Sequence, residues 1–185
     1  TFRLKKALRV PYKSVLKLHI KKWLLVHLKM DRMPKLHIVD RYLDTVKHLG
    51  VINDMEGLDY FIPKQAHVDV NRLSKLHSAG YVGFVIGGQH ATKMLSTQKI
   101  IEVCQSLKEP IVLLGGPEDA NRGHLIEKAV GVRVFNACGK FKLAESASIV
   151  KQASWIVTHD TGLMHIAAAF KKRIVSVWGN TVPEL

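Results

Sequence analysis

The chain has 185 residues, 47% of them hydrophobic and 23% charged, enough to bury one good core or one domain with part of another. No apolar run approaches the about 20 residues that cross a bilayer, and Cys104 and Cys138 lie too far apart for CxxC or zinc-ligand spacing, so they read as small buried hydrophobes in a reduced, cytoplasmic setting. The net charge of +13 is uneven: residues 1–48 hold thirteen Lys and Arg against Asp31, Asp40 and Asp44, a balance of +10, which leaves +3 for everything after. Such a field draws polyanions, whether nucleic acid, an anionic membrane surface or a phosphorylated substrate, and charge by itself does not choose among them.

Between Pro11 and Pro34 the spacing predicts a basic helix. Lys13, Lys17 and Lys21 recur every four residues, and Val15, Leu16, Ile20, Trp23, Leu24, Val26 and Leu28 supply apolar surface. That helix is either a solvated domain edge or a surface docked on anionic lipid. A second helix is expected from His37 to Leu49, with Gly50 as its stop. Residues 50–63 read as a connector with a short extended piece at Tyr60–Ile62, and residues 64–80 as linker or short irregular structure.

After Gly80 the pattern becomes regular. Strands are expected at Tyr81–Ile86, Pro110–Leu114, Val132–Phe135, Trp155–Val157 and Ile174–Trp178. Helices are expected at Thr97–Leu107, Glu118–Val130, Leu143–Ala153 and Thr161–Phe170. Strands apolar on both faces and alternating with helices describe an α/β, Rossmann-like parallel sheet covered on both sides. In such sheets ligands sit beyond the carboxyl ends of the strands.

Three junctions lie at those ends. In Gly87-Gly88-Gln89-His90-Ala91-Thr92-Lys93 the glycines permit a tight turn and the lysine can meet a phosphate, or is simply solvated; Thr92 and Met94 stand where a Walker A loop needs Gly and Ser/Thr. In Gly115-Gly116-Pro117-Glu118-Asp119 the acidic pair either starts a helix or accepts from ribose hydroxyls. The third is Asp160-Thr161-Gly162-Leu163-Met164-His165. Asp160 is expected to cap the helix, because a carboxylate aimed at a phosphate would repel it. Thr161 and Gly162 leave the helix N-terminus open to an anion, and His165, one turn on, leans toward the same place. A zinc site built on His159 and His165 lacks placed third and fourth ligands.

The run ASWIVTHDTGLMHIAAAFKKRIVSVWGNTVPE, from Ala153 to Glu184, resembles the signature of glycosyltransferase family 9, which includes the lipopolysaccharide heptosyltransferases. Its parts are a strand, Asp-Thr-Gly-x-x-His, a small-residue helix, a strand, and a Gly-x-Thr-x-Pro turn matched by Gly179, Asn180, Thr181, Val182 and Pro183. Upstream, Lys93 stands where the family has its loop lysine, and Gly115, Gly116 and Glu118 match its Gly-Gly-acidic junction. His37-Ile38-Val39-Asp40-Arg41-Tyr42 is similar to the His-x-x-x-Arg segment near the end of the family's first domain.

The resemblance implies a GT-B arrangement of two Rossmann-like domains, of which this chain is the C-terminal half. Residues 1–63 would be the remnant of the acceptor-side domain with the interdomain segment, and residues 64–185 the nucleotide-sugar-binding domain. It also implies an inverting, metal-independent transfer of heptose from ADP-heptose to a lipid-linked, phosphorylated saccharide acceptor. The setting would be cytoplasmic, at the inner face of the inner membrane, with no cofactor and no nucleic-acid partner. Lys93, Thr161, Gly162 and His165 would hold the diphosphate, Asp160 would shape their loop, and Glu118 would contact the nucleoside. Nothing in residues 1–35 resembles the family's aspartate base and Gly-rich loop, so the expectation is a fragment without its base and inactive alone. The competing readings are another GT-B nucleotide-sugar enzyme, such as an epimerase, and a non-catalytic module binding nucleotide or nucleic acid.

Overall fold

A computed structural model describes residues 13–15, 17–88 and 91–179. Leu16, Gln89, His90 and the Asn180–Pro183 turn, all named above, lie outside the described residues, as do residues 1–12. The chain divides into two compact units that meet in sequence at Gly57 and Leu58.

In the first unit, α1 (His19–Leu28) is shorter than the Pro11–Pro34 segment, and no residue of it is buried. Lys13 and Lys17 therefore precede the helix, and the four-residue lysine spacing does not make a helical face. α1 ends at Lys29, whose left-handed φ of 53° returns its N–H to the Leu24 carbonyl. The expected second helix is broken. α2 (Ile38–Leu43) starts where the His37 ring accepts from the Val39 amide at 3.3 Å, and a separate 3-10 turn, Lys47–Leu49, stops at Gly50 with φ 80°. Asn53 donates to Asp40 at 2.8 Å and folds the connector back onto α2. No described residue of this unit is buried, so its described part carries no core of its own.

The second unit opens with irregular chain. Tyr60–Ile62 is not a strand, because nothing pairs with it, and three short 3-10 turns follow between Lys64 and His77. This segment is nonetheless anchored. The Val68 amide donates to Ser148 at 3.0 Å, and the buried His77 ring meets the Ile111 carbonyl at 3.0 Å, so its Nε2 carries the proton.

Then come β1 (Val82–Val85), α3 (Thr97–Ser106), β2 (Ile111–Leu114), α4 (Ala120–Val130), β3 (Val134–Asn136), α5 (Leu143–Gln152), β4 (Trp155–His159), α6 (Gly162–Ala169) and β5 (Ile174–Val177). The strands form one parallel sheet in the order β3-β2-β1-β4-β5, with Val82 facing both Ile111 and Trp155. β1 and β2 are buried at every position, as strands covered on both faces must be. One apolar cluster gathers Tyr81, Val85, Val112, Leu114, Ile149, Val150 and Ile156; the other gathers Phe84, Ile86, Ile100, Ile111, Leu113 and Ile126. The two cysteines sit in the second cluster, and burial pushes the Cys104 thiol up to about 11 and the Cys138 thiol up to about 12. Neither is a thiolate near neutrality.

Two elements differ from expectation in ways that matter for the site. A 3-10 turn, Pro117–Asp119, precedes α4, so Glu118 is not in the helix. β4 runs two residues further, through Thr158 and His159, both completely buried.

Candidate functional site

The strand order reverses between β1 and β4: the chain leaves β1 toward β2 and β3, then crosses back to place β4 on the other side of β1. In sheets of this kind the loops leaving the two strands diverge at such a reversal, and the crevice between their carboxyl ends is where ligands bind. The loop from β1 carries Lys93 on a short 3-10 turn, Ala91–Lys93, and the loop from β4 carries Asp160 and Thr161 into α6.

Lys93 Nζ donates to Asp160 Oδ2 at 2.5 Å, with the two side chains 26% and 20% exposed. A pair so placed is screened less than a surface pair and holds the ammonium across the crevice. Asp160 does not cap α6. The cap position belongs to Thr161, in extended conformation and without a side-chain cap bond. The extra length of β4 moves the helix start one residue on, and the Asp160 carboxylate accepts from Lys93. Thr161 Oγ1 lies 3.4 Å from Thr158 Oγ1, which fixes the turn from below.

The start of α6 is free of acidic side chains, and a Cβ built on Gly162 would meet only open space. The positive end of the helix dipole lies at this start, where the first N–H groups of a helix have no carbonyl of the preceding turn to bond. His165, in the first turn of α6, is exposed. Glycines close the crevice. A Cβ on Gly88 would come within 3.8 Å of the Thr161 methyl, and one on Gly179 would sit 2.3 Å from the Thr92 carbonyl, so the chain after β5 packs directly on the backbone next to Lys93.

Glu118 lies apart from this group, exposed on the turn after β2. Its neighbour Asp119 is buried and turned inward. Asp119 Oδ2 accepts from the Gly116 amide at 2.9 Å, in the place where a Gly87 Cβ would be. The first acidic residue of that junction is exposed, with its carboxylate folded back against Gly116 where a Cβ would be, and the second is structural.

Two further residues of this region have partners that no local sequence signal gives. Arg122, on α4, donates to the Ile86 carbonyl at 3.1 Å, to Thr97 at 3.2 Å and to the Leu95 carbonyl. His159 accepts from the Leu95 amide at 2.9 Å through Nε2. With that nitrogen engaged and His165 exposed, the two histidines do not share a site. Among the described residues no group of three or more His, Cys, Asp or Glu is placed to hold a metal ion.

A parallel sheet with its open helix N-terminus and lysine at the reversal of strand order defines an α/β domain of the Rossmann-like class. Residues 2–185 match glycosyltransferase family 9 (heptosyltransferase), and the chain belongs to that family. It is 32% identical over 90 residues to lipooligosaccharide heptosyltransferase 2 of Haemophilus influenzae, which covers 46% of this chain and 26% of that one. It is 31% identical over 78 residues to lipopolysaccharide heptosyltransferase 2 of Escherichia coli, covering 40% and 22%. Among solved structures, the E. coli ADP-heptose lps heptosyltransferase II matches with a TM-score of 0.68 at 21% identity, over 80% of this chain and 50% of that one. A family 9 glycosyl transferase of Veillonella parvula matches with a TM-score of 0.69 at 22% identity, over 88% and 51%. The fold is thus that of the GT-B heptosyltransferase structures, and the chain spans about half the length of the solved relatives it matches.

Proposed function

We propose that the second unit binds the donor of a heptosyltransferase, an ADP-linked heptose, with its diphosphate between Lys93 and the start of α6. The observation that carries this reading is the Lys93–Asp160 contact at 2.5 Å, which suspends an ammonium at the reversal of strand order. Lys93, the N–H groups following Thr161 and Gly162, and the His165 imidazole supply charge-matched donors to the phosphate oxygens. Asp160 orients Lys93 and keeps the loop in register. Glu118, on the adjacent turn, faces the nucleoside. On this reading residues 64–185 are the donor domain, and residues 1–63 belong to the acceptor side and the interdomain segment.

The reaction is an inverting displacement. An acceptor hydroxyl oxygen attacks the anomeric carbon, the bond from that carbon to the diphosphate breaks, and a base takes the hydroxyl proton. Negative charge grows on the departing diphosphate, so fixed cationic donors there stabilise the transition state more than the ground state. No magnesium is needed to do this. The +10 balance of residues 1–48 suits a phosphate-rich, lipid-linked acceptor at the cytoplasmic face of the inner membrane.

The test is a donor-saturation series in the full-length protein, with EDTA or with excess magnesium. Lys93→Ala removes a charge-assisted contact worth ~1.5–3 kcal/mol, so kcat/KM should fall roughly ten- to hundred-fold. His165→Ala should lower activity even with magnesium abundant, and EDTA should leave the wild type nearly unchanged. A Lys93→Ala protein within twofold of wild type reduces Lys93 to a partner of Asp160. Loss of transfer in EDTA with recovery in magnesium contradicts the metal-free account.

A further inference from the structure

Leu95, two residues after Lys93, is held through both of its backbone polar groups. Its N–H donates to His159 Nε2 at 2.9 Å, and its carbonyl accepts from the Arg122 guanidinium. Arg122 also reaches the Met94 sulfur at 3.7 Å, Thr97 Oγ1 at 3.2 Å and the Ile86 carbonyl at 3.1 Å. His159 comes from β4 and Arg122 from α4, so the clamp joins the segment around Lys93 to two separate elements of the sheet layer.

The His159 ring is completely buried, and its Nδ1 has no hydrogen-bond partner of good geometry among the described residues, although the backbone at Val85 and Gly87 lies beside it. Because Nε2 accepts an amide proton, the neutral ring carries its own proton on Nδ1. A polar nitrogen left wanting inside an apolar layer is costly, and a leucine would fill the space without that cost. What the histidine does and leucine cannot is accept from Leu95.

We infer that His159 and Arg122 are positioning residues, which clamp the Leu95 peptide and so hold Lys93 at the mouth of α6. This rests on Lys93 being a donor-site residue, as proposed above. His159 is adjacent in sequence to Asp160, the acceptor of the Lys93 ammonium, so one strand end fixes both the base of the lysine's loop and its tip. Neither residue needs to touch the donor to matter for its binding.

The experiment is a double-mutant cycle in the full-length protein, with ADP as the probe and calorimetry as the readout. His159→Leu should weaken ADP binding about tenfold, the effect of an unmade buried hydrogen bond passed on to Lys93. In the Lys93→Ala background the same change should cost twofold or less, because the group it positions is gone. His159→Gln, whose side-chain oxygen can accept from Leu95, should restore most of the affinity. Arg122→Gln, which frees the Leu95 carbonyl, is the second variant should His159→Leu not fold, and the same coupling to Lys93→Ala is expected of it. The inference is overturned if His159→Leu binds ADP within twofold of wild type, or loses the same factor in both backgrounds. If Lys93→Ala alone binds ADP as wild type does, the donor-site reading has failed, and this inference falls with it.

Discussion

The imidazole of His159 is completely buried on β4, and that burial, reinforced by the nearby Arg122 charge, holds its pKa below the ordinary 6.5. In the unfolded chain the same ring takes up a proton as pH drops through about 6.5, while in the folded chain it resists. The stability this group contributes is therefore full above pH 6.5 and lost as the pH falls toward its lowered folded value. Thermal unfolding of wild type and His159→Gln between pH 7.5 and about pH 5 checks this. The wild type should lose melting temperature on acidification more steeply than the glutamine variant; parallel curves would mean that His159 titrates as freely as an exposed histidine. At this scale the sequence was only half readable. Lys93, Thr161, Gly162 and His165, the residues proposed to hold the diphosphate, are picked out by loop and helix-start chemistry. The partner of Lys93 does not, because Asp160 lies 67 positions away and looks locally like a helix cap. Arg122 gives no warning at all, since it acts through a fold-made neighbour, the Leu95 carbonyl; Asp119 stands out as one of an acidic pair, but its inward role, accepting from the Gly116 amide beside Gly87, is made by the fold.

The helices and strands of the second unit were legible because most of their burial is apolar and local. Ile111–Leu114 can hardly be anything but a strand between two covered faces, and Ile100 and Cys104, four apart, mark the inner side of α3. The exceptions have physical causes. β4 extends beyond its apolar run because Thr158 and His159 are polar yet buried, each given a partner by the fold: Thr158 donates to the His159 carbonyl at 2.8 Å, and His159 accepts from Leu95. In the first unit the pattern of lysines and apolar residues suggested more helix than forms. No described residue is buried there to stabilise one, and helices of this length are marginal without packing. The opposite case is α3, whose start is well specified. Ser96, in extended conformation, accepts from the Lys99 amide at 3.3 Å. Ser96→Ala should cost about 1 kcal/mol in chemical denaturation, since it strips a cap without touching the core. A loss below about 0.3 kcal/mol would show that the long Ser96–Lys99 bond carries little of the helix.

Across the whole chain, the charge and the chemistry are separated. The strongly basic segment is confined to residues 1–48, while the open helix start, Lys93 and the clamp that steadies it belong to the unit that begins at Leu58. On the proposed reading, that division suits a donor held by fixed geometry in the sheet and an anionic acceptor drawn by field. The sheet order β3-β2-β1-β4-β5 is what makes the first half of this possible, because the β1/β4 reversal brings Lys93 and Asp160, 67 positions apart, into contact. The most direct measurement is a crystal structure of the full-length protein with ADP bound. The account predicts the diphosphate at the start of α6, with phosphate oxygens within hydrogen-bond distance of Lys93 Nζ and of the first free N–H groups after Thr161. A diphosphate bound elsewhere, with Lys93 still on Asp160 and nothing at the mouth of α6, would contradict it.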